Sequence, residues 1–107
     1  MAHELFYHPY VKKRDLPEID RGLQKRIAAA IQERLVEAPE RYGHPLRGTL
    51  KGYWKLRVGD YRVVFRILGS EVWILGIAHR RDVYAGIPHR LDWKPERPAG
   101  PAGPAGR

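Results

Sequence analysis

Apolar side chains recur every four residues at Ile19, Leu23, Ile27, Ile31 and Leu35, the spacing that lines one face of an α-helix. Ala28, Ala29 and Ala30 raise helix propensity within that stretch, and Gln24, Lys25, Gln32 and Glu33 supply a wet face. Asp15-Leu16-Pro17-Glu18 reads as the start, with Asp15 able to cap free amides and Glu18 three residues on, as in a capping box. Pro39 stops the pattern. A helix is therefore predicted over residues 17–38, with a short helix or single turn over residues 10–14 before it.

After residue 52 the periodicity changes. Tyr53–Val58, Tyr61–Leu68 and Glu71–His79 are rich in β-branched and aromatic residues, and the two-residue links Gly59-Asp60 and Gly69-Ser70 suit tight hairpins. Residues 4–8, ELFYH, predict one more short strand, which Pro9 limits, and residues 40–52 predict a loop carrying HPLRGTLKG. The order is β-α-α-β-β-β. This is an α+β domain, an antiparallel meander with a helical hairpin packed on one face.

Hairpin arithmetic assigns the faces. With Gly59-Asp60 as the turn, Arg57 opposes Arg62, Lys55 opposes Val64 and Tyr53 opposes Arg66, so Tyr53, Lys55, Arg57, Arg62 and Arg66 share one face. Trp54, Leu56, Val58, Tyr61, Val63, Phe65 and Ile67 fall on the other, which the helices are expected to cover. Through Gly69-Ser70, Arg62 is predicted to oppose Ile77 and Arg66 to oppose Trp73, which adds Trp73, Leu75, Ile77 and His79 to the basic face. Like charges directly opposite one another destabilise a sheet, which suggests an anionic ligand. A sheet with one solvated, cationic face for solubility is the alternative that pattern alone leaves open.

Composition narrows this further. A chain of 107 residues has room for one domain, predicted over residues 1–90. Residues 91–107 are Pro/Gly-rich, end in three Pro-Ala-Gly triplets, and predict a disordered tail. Lys and Arg number 20 against 12 Asp and Glu, a formal charge of +8. That sign favours polyanionic partners, nucleic acid first, without choosing among nucleic acid, anionic membrane and acidic protein. There is no cysteine, so no disulfide and no cysteine-bound zinc, and His3, His8, His44 and His89 lack metal-ligand spacing. With no membrane-length apolar run and no apolar leader, a cytoplasmic protein without metal or cofactor is expected.

The run LRGTLKGYWKLRVGDYRVVFRI, followed after one strand by GIAHRRDVY, resembles the RelE/ParE toxin superfamily of type II toxin-antitoxin systems over roughly residues 4 to 87. The resemblance rests on Leu46-Arg47-Gly48, the Lys55-Leu56-Arg57 to Tyr61-Arg62 hairpin, and basic residues followed by Tyr84. It implies one of two activities, ribosome-dependent cleavage of mRNA, as in RelE-like members, or inhibition of DNA gyrase, as in ParE-like members. A catalytically inactive relative that only binds an antitoxin is a further alternative. It also implies a cognate antitoxin that covers the basic surface, and no membrane.

For the nuclease, the resemblance carries catalytic roles to Lys55, Arg62, Arg80 or Arg81, and Tyr84. It also leaves Tyr53 where several RelE-like members have a second lysine. RNA contacts are expected from Arg47, Lys51, Arg57, Arg66 and His79, with mRNA in the ribosomal A site and ribosomal RNA as partners. RNA supplies its own nucleophile, the 2′-hydroxyl, so an enzyme need only align it, move two protons and steady the phosphate charge. Arginine's planar fork suits the last task, which falls to Arg62. A lysine flanked by cations suits the first proton transfer, which falls to Lys55. Tyr84 stacks on a base or closes the core; Arg47 touches RNA or stays in water beside a turn glycine; His79 carries a proton or is polar surface.

Overall fold

The computed structural model describes residues 2–96. Its centre is a five-stranded sheet in the order β1-β5-β4-β3-β2. The meander forms as expected: β3 (Trp54–Val58), β4 (Tyr61–Leu68) and β5 (Glu71–His79) pair antiparallel in sequence. Gly59 and Gly69 turn the chain with φ of 59°, a conformation glycine adopts without a Cβ clash. β1 (Glu4–Tyr7) joins the outer edge of β5 in parallel, and β2 (His44–Pro45), inside the segment predicted as loop, pairs antiparallel with β3.

The predicted single helix is broken. Turns over Val11–Asp15 and Leu16–Glu18 end at Ile19, whose backbone is extended (φ −113°, ψ 135°). Helix α1 (Arg21–Ala30) starts afresh and runs on through wider turns at Ile31–Leu35. Asp20, not Asp15, is the cap: its carboxylate accepts from the Leu23 N–H at 3.1 Å. The Gln24 amide bridges the break by donating to the carbonyls of Leu16 and Ile19 at 2.7 and 2.8 Å. The apolar period survives, because Ile19, Ile27, Ile31 and Leu35 are buried against Leu56, Val63, Phe65 and Ile74. A short helix, α2 (Pro39–Tyr42), then leads to β2. Between them a Cβ on Gly43 would lie 2.6 Å from the Phe65 ring, so the chain passes the sheet too closely for any larger residue.

The other sheet face is not left to solvent. Helix α3 (Val83–Gly86) and the turn Ile87–Arg90 fold back over it. Val83 and Ile87 join Leu46, Leu50, Val64 and Leu75 in a second small core, with Leu91 and Trp93 packed partly buried beside it. Residues 97–107, which hold the Pro-Ala-Gly triplets, lie outside the described residues.

One register assignment is overturned. Arg66 opposes Trp73 as predicted, but Val64 pairs with Gly76 while Phe65 pairs with Ile74, so Leu75 is an extra residue on β5. Beyond this bulge every side chain of β5 changes face. Arg62 therefore opposes Ala78, not Ile77. Ile77 enters the helix-side core, and the His79 ring meets Tyr61 edge-on at 5.5 Å, away from the basic face.

β1 ends before the bulge, and two side chains complete the exposed edge of β5. Asp15 Oδ2 accepts from the Ile77 N–H at 2.8 Å, and Arg90 Nη1 donates to the Leu75 carbonyl at 3.2 Å. The two side chains also bind each other bidentately, both contacts 2.8 Å, at 10 and 12% exposure. They stand in for a missing strand and blunt an edge that would otherwise invite pairing.

Candidate active site

The paired strands bring Arg57 and Arg62 directly opposite one another, and the chain after β5 returns Arg80 to the same turn through an Arg80 N–H to Asp60 carbonyl bond of 2.8 Å. Asp60 is the carboxylate at this turn: its Oδ1 lies 3.8 Å from Arg80 Nε, with both side chains more than half exposed. Burial lowers the Arg62 pKa from its ordinary value, Arg57 and then Arg80 push it the same way, and Asp60 opposes them. Arginine does not give up its proton, so this strain persists as repulsion that an anion relieves. Arg62 curls back over its own hairpin, with Nη1 donating to the Gly59 and Tyr61 carbonyls at 3.0 Å each. Among the described residues its Nη2 and Nε meet no acceptor, which leaves donors for a phosphate.

Lys55, half-buried, stands on the same face one pleat away, opposite Val64. Arg66 does not belong to this group: it lies at the other end of β4, its guanidinium carbon 5.9 Å from the ring centroids of both Tyr53 and Trp73. Tyr53 itself is anchored, its hydroxyl donating to the Leu91 carbonyl at 2.8 Å. Arg47 and Lys51 are exposed on a turn that buries Leu46 and Leu50, and Gly48 supplies its positive φ of 63°. Arg81 is exposed, its backbone N–H donating to His79 Nδ1 at 3.2 Å, and of the two adjacent arginines Arg80 is the one that acts on Arg62. Tyr84 is 61% exposed on α3, which removes the core reading of its ring.

Sequence reasoning passed over His44. The register places it directly opposite Lys55, where facing Cβ atoms lie about 5 Å apart, and it is exposed. Only the two-residue strand β2 aligns them, and no periodicity marks so short a strand; the His-Pro-Leu run before Arg47 was the available signal. Asp15 and Arg90 were also missed, being 75 residues apart. Among the described residues no three His, Cys, Asp or Glu side chains converge to hold a metal ion, and no helix is long and apolar enough to cross a membrane.

A meander sheathed by helices on one face, closed by a C-terminal segment on the other, with cations gathered at its first hairpin, defines a small basic α+β protein of RelE/ParE type. The family model for the ParE toxin of type II toxin-antitoxin systems matches residues 5–84, and the chain belongs to this family. Similar proteins include Toxin RelE of Mycobacterium tuberculosis, 38% identical over 96 residues that cover 84% of this chain and 98% of that one. Toxin RelG of the same organism is 41% identical over 68 residues, 58% of this chain and 78% of its own. Among solved structures, the RelBE2 toxin-antitoxin complex of M. tuberculosis aligns with a TM-score of 0.68 and 28% identity, covering 77% of this chain and 95% of that chain. A mutant of E. coli toxin RelE in the free state shares the fold at a TM-score of 0.64 and 17% identity, over 84% of this chain and 94% of that one.

Proposed function

We propose that this type II toxin is a ribosome-dependent, metal-independent endoribonuclease that cuts mRNA in the A site, acting in the cytoplasm. The observation that carries this reading is the gathering of Arg57 and Arg80 beside Arg62 at one hairpin, on a face that also holds Lys55. Such a group suits a phosphate whose charge rises in the transition state. The 2′-hydroxyl of the nucleotide before the scissile bond attacks the adjacent phosphorus. Its proton passes to Lys55 or His44, a 2′,3′-cyclic phosphate forms, and the 5′-oxygen leaves with a proton from the other of the two. The His44 ring, opposite Lys55, supplies a second proton-carrying group in place of the lysine absent at position 53. Arg62 and Arg80 hold the non-bridging oxygens, and exposed Tyr84 stacks on the splayed base. Arg47, Lys51 and Arg81 add sequence-independent contacts to ribosomal RNA.

A cognate antitoxin completes the reading. The M. tuberculosis neighbour is a toxin-antitoxin complex, as is the RelB-RelE complex of Methanococcus jannaschii, which aligns at a TM-score of 0.60. An acidic segment laid across the hairpin end would relieve the same repulsion that RNA does.

Gyrase inhibition without catalysis is the second reading, favoured by the ParE description of the matching family and by Tyr53, whose hydroxyl is committed to the backbone. Primer extension on ribosome-bound mRNA separates the two. Wild type is expected to leave A-site cuts and Arg62→Ala to lose them about a hundredfold or more. No cuts by wild type, with gyrase supercoiling blocked instead, sinks the nuclease.

A further inference from the structure

The far end of the same sheet face carries rings where the hairpin carries charge. Phe6 lies beside Trp73 in the β1–β5 register, so His8, two residues on, shares that face. The His8 ring sits between Tyr10 and Trp93, with centroids 5.0 and 5.2 Å away, and Trp93 meets Trp73 edge-on at 6.0 Å. A groove of about 610 Å³ runs along Tyr10 and Trp93, with Arg14 and His89 at its wall. That volume falls in the range of small-ligand sites.

Packing accounts for part of this cluster and not the rest. Trp73 is 9% exposed and helps close the second face, but Tyr10 is left 37% exposed. Two guanidiniums lie over that ring, Arg90 at 5.4 Å from its centroid and Arg14 at 4.2 Å, and Arg14 is exposed and meets no carboxylate among the described residues. Arg90, also lining the groove, is by contrast neutralised by Asp15. A solvent-facing ring beside an uncompensated cation is the pairing that holds single-stranded nucleic acid, the ring taking a base and the cation its phosphate.

We propose that the groove between Tyr10 and Trp93 is a second contact for single-stranded RNA, stacking one base on its rings and pairing its phosphate with Arg14, apart from the hairpin cluster. The identity of the polymer rests on the nuclease reading above. Lys13, exposed and adjacent to Arg14 in the chain, adds to the local positive charge. Along β5 the two ends, marked by Trp73 and Ala78, are roughly 15 Å apart at the rise of a strand, a gap that a few nucleotides cross. Stacking on rings tolerates any base, so the contact holds the message without selecting its sequence. A duplex keeps its bases within the stack and cannot use the rings.

The test is fluorescence anisotropy of a labelled single-stranded oligoribonucleotide of about ten residues titrated with the full chain. Tyr10→Leu is expected to weaken binding about tenfold and Tyr10→Phe to restore it, while Arg14→Gln lowers the salt slope by roughly 0.7. A matched RNA duplex should bind wild type and Tyr10→Leu alike. Because Tyr10 is exposed, circular dichroism should show both variants folded. Single-strand binding unchanged in Tyr10→Leu overturns the proposal, as does equal weakening for the duplex, or protection of the Tyr10 ring by an acidic peptide and not by RNA. Arg62→Ala should keep the Tyr10-dependent part. Wild type that binds through Tyr10 but leaves no A-site cut defeats the nuclease and spares this site; cutting without any Tyr10 dependence does the reverse.

Discussion

The two ends of one sheet face handle positive charge in opposite ways. At the β3–β4 hairpin, Arg57, Arg62 and Arg80 stand together, with Asp60 offsetting part of their charge. At the other end each guanidinium lies against a ring, Arg66 over Tyr53 and Trp73, Arg14 and Arg90 over Tyr10, and Arg90 also holds Asp15 from both oxygens. Between them Val64 and Leu75 lie under Leu46, Leu50, Val83 and Ile87, so an apolar plug divides what strand alternation presents as one surface. At the ring end Arg90 holds the C-terminal segment to the sheet, and Arg14 is left exposed without a carboxylate among the described residues. Charge at the hairpin end has no such work and remains available to a phosphate. Removing a cation should therefore weaken the fold at one end and relieve it at the other.

The largest effect is expected from Asp15→Ala, which strands a nearly buried Arg90 and the Ile77 N–H on the edge of β5; a loss of about 3–5 kcal/mol is expected in urea unfolding. Asp15→Ala combined with Arg90→Met should recover much of it, and a single-variant loss under about 1 kcal/mol would end the claim that this pair fastens the segment. Next comes Arg66→Gln, which gives up two ring contacts on an exposed site and should cost roughly 0.5–1 kcal/mol of unfolding free energy. Arg57→Gln should move stability the other way, upward by a few tenths of a kcal/mol, because it relieves a directly opposed like charge. A loss of equal size from Arg57→Gln and Arg66→Gln would erase the contrast between the ends.

The smallest effect is a pH dependence at the ring end. Burial, then Arg90, lowers the His8 pKa from its ordinary 6.5, with Asp15 opposing. As the pH falls the unfolded chain takes up its proton first, so this contribution is complete above about 6.5 and declines as the pH drops from there toward the lowered folded value. His8→Gln should flatten thermal melts compared between neutral and mildly acidic pH, and an unchanged slope would place the titration elsewhere.

Much of the hairpin end was legible because a two-residue turn leaves no freedom. Gly59-Asp60 sets the pairing, and Arg57 opposite Arg62 and Lys55 opposite Val64 follow by counting. The same counting failed one strand later, where the extra residue Leu75 moved Ile77 and His79 to the helix side. The isolated Gly76 within the strand was the local signal of a bulge. Its reason is tertiary: Gly76 lies so close to Ile87 and Arg90 that an added Cβ would be 2.8 Å from Arg90 Nη1, and the neighbouring backbone groups are taken up by Asp15 and Arg90. His44 stayed hidden for a related cause, since a strand of two residues has no period to read and exists only because β3 is there to pair with it.

By itself, then, the sequence determined what depends on neighbours in the chain: the four-residue apolar period of the helical arm, the strands and turns of the meander, the sign of the charge, and the row of cations beside the first hairpin. Hydrophobic burial and turn geometry are local enough to be written in spacing. Only the tertiary structure decided where β1 pairs, which residues beyond Leu75 face the basic side, and that His44 meets Lys55. It also decided that Asp15, placed like a helix cap, binds Arg90 instead. Those outcomes turn on edge groups of β5 that must find partners, and Asp15 and Arg90, 62 and 15 residues away from them, supply the contacts.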